Sequence, residues 1–203
     1  MEKHSIRFMG LDLAGSVHRP TGWAIIDENL YICEEPGEVF SDEQILEKVD
    51  KYEPHWIGID APLSFPKKGN KTRLCDRELR KFNVSALSPF FIASLTKRGI
   101  MLCRILTKRG YSCIEVYPRA TQKILGITVA GKKSDKKWCY LLQRELSLKA
   151  KIKGLPLPTK KFYSSHVLDA ILCAYTAWCR WKGIYQEVGN REGKIVIPLI
   201  KST

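Results

Sequence analysis

Apolar residues cluster in five short stretches, and these predict five strands. Residues 6–14, 22–27 and 30–34 read as the first three, with Asp27, Glu28 and Asn29 as a tight polar turn between the last two. The run HWIGIDA predicts a fourth, ended by Pro62, and YSCIEVYP predicts a fifth. Between them the spacing becomes helical. Residues 41–52 carry Ile45, Leu46 and Val49 at helical intervals, and Ser41 with Gln44 forms a capping box at the start. Helices are also predicted over 95–108, ended by Gly110, and over 119–125, 134–148 and 165–182. The last has an apolar stripe of Leu168, Ile171, Leu172, Tyr175 and Trp178, and a hairpin over roughly 185–198 closes the chain. Three consecutive strands, then strands interleaved with helices, describe one mixed-sheet α/β domain. Residues 64–108 are an expected helical insertion over one end of the sheet.

Two aspartates interrupt this pattern. Alternation along a strand puts Asp12 on the face of Gly10 and Phe8, with Leu11 and Leu13 on the other. Asp60 likewise shares a face with Gly58 and Trp56. Both strands therefore carry Gly-x-Asp late in an apolar run, and each glycine leaves room for a ligand or for close backbone approach. A buried carboxylate is costly unless it is paired or holds a metal, and two close together need a cation or a proton between them. Hard oxygen ligands select Mg²⁺ or Mn²⁺. A single such aspartate reads as a hydrogen-bonded strand end; the matched pair favours a metal.

Two further acids extend the set. Glu115, in CIEVYPRA, shares its face with Cys113 and Tyr117 and reads either as another ligand or as an outward polar residue. Asp169, in SSHVLDAILCAY, opens the last helix, where an acid also stabilises the helix dipole. His166 precedes it by three residues and lies on the same helical face, to pair with a ligand or to remain at the surface.

Charge adds a partner to this picture. The chain of 203 residues carries a net charge of +13, which fits a polyanion, most commonly nucleic acid, or simply a basic soluble domain. The basic tracts 131–137 (GKKSDKK) and 153–161 (KGLPLPTKK) lie beside Trp138, Phe162 and Tyr163, which suits strand binding with base stacking or, equally, solvated loops over core aromatics. No run is long and apolar enough for a membrane span, and the first residues lack a signal-peptide core, so a cytoplasmic protein is the expectation. Seven cysteines without a Cys-x-x-Cys support neither a disulfide framework nor a zinc site; Cys75, in the charged run TRLCDRELRK, is the least core-like of them. The segment GITVAGKK misses the phosphate-loop pattern, because Lys133 stands where a hydroxyl is required.

The segments GLDLAGS, IGIDAPLSFP, RLCDREL, EVYPRA and SSHVLDA together resemble domain-of-unknown-function family 429, predicted nucleases of the ribonuclease H-like superfamily. The resemblance spans roughly residues 10–198. It implies a ribonuclease H-like mixed sheet, made of a three-strand antiparallel meander plus parallel strands. It implies Asp12, Asp60 and Asp169 as ligands of Mg²⁺ or Mn²⁺, with Glu115 as a fourth. The activity implied is two-metal-ion hydrolysis of phosphodiesters in DNA or RNA, with His166 moving a proton. Better-known nucleases of that superfamily often place an acid on the first helix, where this chain offers Asp42, Glu43 and Glu47. Arg73, Arg77 and Arg119 lie within these motifs and are candidates for holding phosphate, together with Tyr117. The alternatives are a non-catalytic nucleic-acid-binding protein of this fold and an actin-like phosphate-binding enzyme. The latter shares a GLDLAGS-like loop but needs two related domains.

Overall fold

The computed structural model describes residues 5–133 and 135–199. Ser134, the expected first residue of a helix, lies outside the described residues. Strands β1 (Arg7–Asp12), β2 (Thr21–Asp27), β3 (Gly37–Val39), β4 (Trp56–Ile59) and β5 (Cys113–Glu115) form one sheet in the order β3-β2-β1-β4-β5. The first three pair antiparallel, whereas β4 and β5 run parallel to β1. The protein is thus a mixed α/β structure.

The third strand differs from expectation. Residues 30–34 touch the sheet through a single bridge, Ile26 to Ile32, and the ladder resumes only at Gly37 opposite Trp23. The Asp27 carboxylate accepts from the backbone N–H groups of Asn29 and Tyr31, both at 2.8 Å, and winds the chain so tightly that Leu30 takes a φ of 65°. Pro36 then offers no N–H to a ladder.

Helices cover both faces. They are α1 (Asp42–Tyr52), α2 (Leu74–Glu78), α3 (Ala93–Lys108), α4 (Pro118–Ile124), α5 (Lys136–Lys149) and α6 (Ser165–Lys182). The capping box of α1 forms as expected, with the Gln44 N–H donating to Ser41 Oγ at 3.3 Å. On one face, Met9, Leu11, Ile57 and Ile59 pack with Ile45 and Val49 of α1 and Leu102 and Leu106 of α3. On the other, Phe8, Ala24 and Ile26 pack with α6, and Trp138, Leu142 and Leu146 of α5 join the same core.

Helix α6 lies directly on the sheet. Gly10 pairs with Gly58 across β1 and β4, and Asp12 pairs with Gly22 across β1 and β2. A Cβ at Gly10 would overlap the carbonyl oxygen of Ala170, and one at Gly22 that of His166. At Gly58 it would stand 2.5 Å from the Cys173 carbonyl. Alanines and cysteines of α6 (Ala170, Cys173, Ala174, Ala177) are all fully buried on this helix. Of the two roles a strand glycine leaves open, this one is close backbone approach.

A third cluster joins Cys75 and Leu79 to Val188, Ile195 and Ile197 of the hairpin formed by β6 (Tyr185–Asn190) and β7 (Gly193–Pro198). Cys75 is therefore core, against the expectation from its charged surroundings. The charges beside it neutralise one another, since Arg73 and Asp76 form a buried ion pair at 2.7 Å. Among the described residues, no helix is long and apolar enough to cross a membrane.

Candidate metal centre

Three acids from separate parts of the chain meet at one end of the sheet. Asp12 ends β1, and Asp60 follows β4, its N–H donating to the Leu11 carbonyl at 2.8 Å. Asp169 comes from the second turn of α6. Each offers a carboxylate oxygen, and these oxygens all lie within 4.8 Å of one another. The glycines under α6 allow this convergence, because the helix carrying Asp169 rests on the strands carrying the other two.

Like charges at this range, in a buried setting, are costly. Burial, with Asp12 and Asp169 adding repulsion, pushes the Asp60 carboxyl well above the usual carboxylate range. Burial and the charge of Asp12 push Asp169 up to about 6, although Lys133 opposes them. The Lys133 ammonium pairs with Asp169 Oδ2. Burial pulls that ammonium down, but Asp169 and Asp12 outweigh it and raise it above the ordinary lysine value. Gln122 Nε2 reaches the other Asp169 oxygen at 3.4 Å. His166 Nδ1 stands 2.7 Å from Asp12 Oδ2, and that hydrogen bond raises the imidazole above its usual value. Asp60 has no ion-pair partner among the described residues.

Glu115 stands apart from this cluster. It pairs in register with Ile59, so it projects to the face opposite that of Gly58 and Asp60. Both of its oxygens accept from Arg73, at 2.7 and 2.6 Å, and one also accepts from the Leu63 N–H at 2.8 Å. Arg73 is only 1% exposed and is consumed by Glu115, Asp76 and the Ser64 hydroxyl, so it is not open to a substrate. On α1, Asp42 is held by Arg98 at 2.9 Å, and that helix lies on the far face of the sheet from α6. Arg77 is exposed and donates to the Thr72 carbonyl.

Two cavities flank the acids. The larger, about 420 Å³, is lined by Asp60, Asp169, Tyr117, Arg119, Gln122 and Lys133, among others. The smaller, about 190 Å³, lies between Asp12, Asp60 and apolar residues that include Leu87, Ile92 and Leu95. Tyr117 lines both and donates its hydroxyl to the Ser85 carbonyl at 3.0 Å. Of the proposed substrate contacts, Arg119 and Tyr117 thus border the acids. Lys133 and Gln122 do so as well, although the sequence does not mark them as site residues. Lys133 lies in the basic tract at 131–137, but nothing in that tract singles it out.

The layering and the acidic trio, with Asp12 and Asp169 buried and Asp60 partly so, define an α/β protein with a carboxylate centre at the end of its central strands. The family model described as "Protein of unknown function (DUF429)" matches residues 10–98 and 91–192, and the chain belongs to that family. A search of curated proteins found no match.

Proposed function

We propose that the protein is a metal-dependent phosphodiester hydrolase acting on nucleic acid, of the ribonuclease H-like type. The observation that carries this reading is the convergence of Asp12, Asp60 and Asp169 within 4.8 Å, with no ion-pair partner for Asp60 among the described residues. A structural trio with all three acids ionised would need a cation or donor for each. The antiparallel meander followed by parallel strands, with acids on β1, after β4 and on α6, supports the superfamily resemblance.

The donor set fits a hard divalent ion, because all three residues offer carboxylate oxygens. Asp12, Asp60 and Asp169 would hold Mg²⁺ or Mn²⁺, which when bound neutralises phosphoryl charge and acidifies water. The chain's own groups do the rest. His166, anchored to Asp12 through Nδ1, keeps Nε2 available to exchange a proton at the edge of the site. Arg119 lines the larger cavity and is placed to draw a phosphate toward the acids. Lys133 holds Asp169 and offsets part of the acidic charge.

The test is cleavage of labelled DNA and RNA with and without Mg²⁺ or Mn²⁺. Asp12→Asn and Asp60→Asn are expected to abolish it while the protein stays folded. Metal-independent cleavage, or cleavage that survives both substitutions, would refute the proposal.

A further inference from the structure

The larger cavity, at about 420 Å³, has the size of a small-ligand site and opens beside Asp60 and Asp169. Arg119 and Lys123 stand four residues apart on α4 and both line it, so two cations share one helical face. Ile127, Val129 and Trp138 supply apolar lining in the same cavity. Two cations beside an apolar wall call for an anion that carries a flat apolar group. A nucleotide has that chemistry in one unit.

We propose that this cavity receives one unpaired nucleotide of a single-stranded nucleic acid, its phosphate near Arg119 and Lys123 and its base against Ile127, Val129 and Trp138. The inference rests on reading the acids as a phosphodiester centre. A double helix keeps its bases stacked inside, and placing one in a cavity requires unpairing it, so an unpaired strand meets the lower barrier. A strand is favoured over a free nucleotide by the opposite flank of Asp60. There Leu87 lines the smaller cavity, and Leu87, Phe90 and Phe91 are exposed in one segment, with Phe90 stacked on Phe65 at 5.4 Å between centroids. Adjoining unpaired bases stack on such surfaces, and the net charge of +13 attracts their backbone.

Binding is measured by fluorescence anisotropy in chelator, so that no strand is cut. The probes are a short single-stranded oligonucleotide, the blunt duplex of the same sequence, and AMP as competitor. The single strand is expected to bind at least about tenfold more tightly than the duplex. The double substitution Arg119→Ala/Lys123→Ala is expected to weaken strand binding about tenfold or more, with the duplex changing less than about threefold. Val129→Trp fills the cavity without altering charge and is expected to show the same selective loss. If that variant does not fold, the double substitution decides. AMP displacing the strand supports the cavity chemistry, and AMP binding as tightly as the strand assigns the site to free nucleoside phosphates. Equal losses on strand and duplex, or no preference for the strand, overturn the proposal. The two readings fail separately. Selective strand binding without any metal-dependent cleavage leaves the cavity assignment standing and removes the hydrolase. Cleavage insensitive to Arg119, Lys123 and Val129 does the reverse.

Discussion

Gly10 of β1 lies against the backbone of Ala170 in α6, so closely that a Cβ on the glycine would overlap the Ala170 carbonyl oxygen and crowd the Ala174 nitrogen. Neither neighbour is a side-chain end that could swing aside. This contact sets the height of α6 above the sheet and, through it, the distance from Asp169 to Asp12.

Gly10→Ala is therefore expected to lift the helix rather than fill a gap. The loss in stability should reach about 3 kcal/mol, at the upper end for overpacking of a rigid interior. The same variant should bind Mn²⁺ more weakly, because its acids no longer converge. Chemical denaturation and a metal titration check the two effects. A variant as stable as the parent would mean that α6 does not rest on the glycines.

The acids make the metal-free protein sensitive to pH. Asp169 titrates near 3.8 when unfolded and is pushed up to about 6 when folded, so between those values the native state holds the extra proton. Its contribution is fully present below about pH 4 and is lost as pH rises through about 6. Asp60 shifts in the same direction, for the same reasons of burial and repulsion. His166 is raised above its usual 6.5 by Asp12, so its contribution is present below that value and is also lost as pH rises. All three shifts point one way. In chelator, the melting temperature should fall from pH 5 to pH 8. Asp60→Asn should flatten that slope and raise the melting temperature at pH 8 by about 2–4 °C. With Mg²⁺ or Mn²⁺ the trend should weaken or reverse, since only the ionised carboxylates bind metal. A flat profile in chelator would contradict the repulsion among these acids.

Much of the site was legible because its signals are local. Gly-x-Asp on two strands, read with period two, puts each aspartate on the face of its own glycine, and the pairing of Gly10 with Gly58 makes that one face of the sheet. Asp169 and His166, three apart on one helix, reach the same cluster. What the sequence left open depends on register and on long-range partners. Alternation within β5 leaves open whether Glu115 faces the acids. Its pairing with Ile59 turns it to the far side, and pairing across strands is not written in either segment. Lys133 looks like any other lysine of its tract until the fold brings it to Asp169. Residues 30–34 have strand-like composition, yet the Asp27 turn and Pro36 decide what pairs, and the third strand forms at Gly37–Val39 instead.

Arg73 offers a test away from the acids. Its guanidinium holds Glu115 and Asp76 in a buried network that also ties down Ser64. Arg73→Met leaves two buried carboxylates without a cation and should cost about 3–5 kcal/mol. Adding Glu115→Gln and Asp76→Asn removes the stranded charges and should recover more than half of that loss. Urea denaturation measures both. If the triple variant is no more stable than Arg73→Met, the network stabilises the fold by something other than charge balance.

A divalent ion held by the three acids would compete with Lys133 for the same oxygens. The ammonium pairs with Asp169 and lies within the field of Asp12 and Asp60, so in chelator it offsets part of their repulsion. Lys133→Met deletes that cation while keeping much of the apolar length of the side chain. Two opposite changes should follow. Without metal the variant should be less stable than the parent, by about 1 kcal/mol, because the half-exposed pair is screened by solvent. With metal it should bind Mn²⁺ more tightly, because the ion no longer displaces an ammonium from Asp169. The melting-temperature rise caused by saturating Mn²⁺ should accordingly be larger in Lys133→Met than in the parent. A smaller rise would mean that Lys133 helps to hold the metal-loaded site rather than standing in for the ion. A surface role for Lys133 predicts no change in either condition.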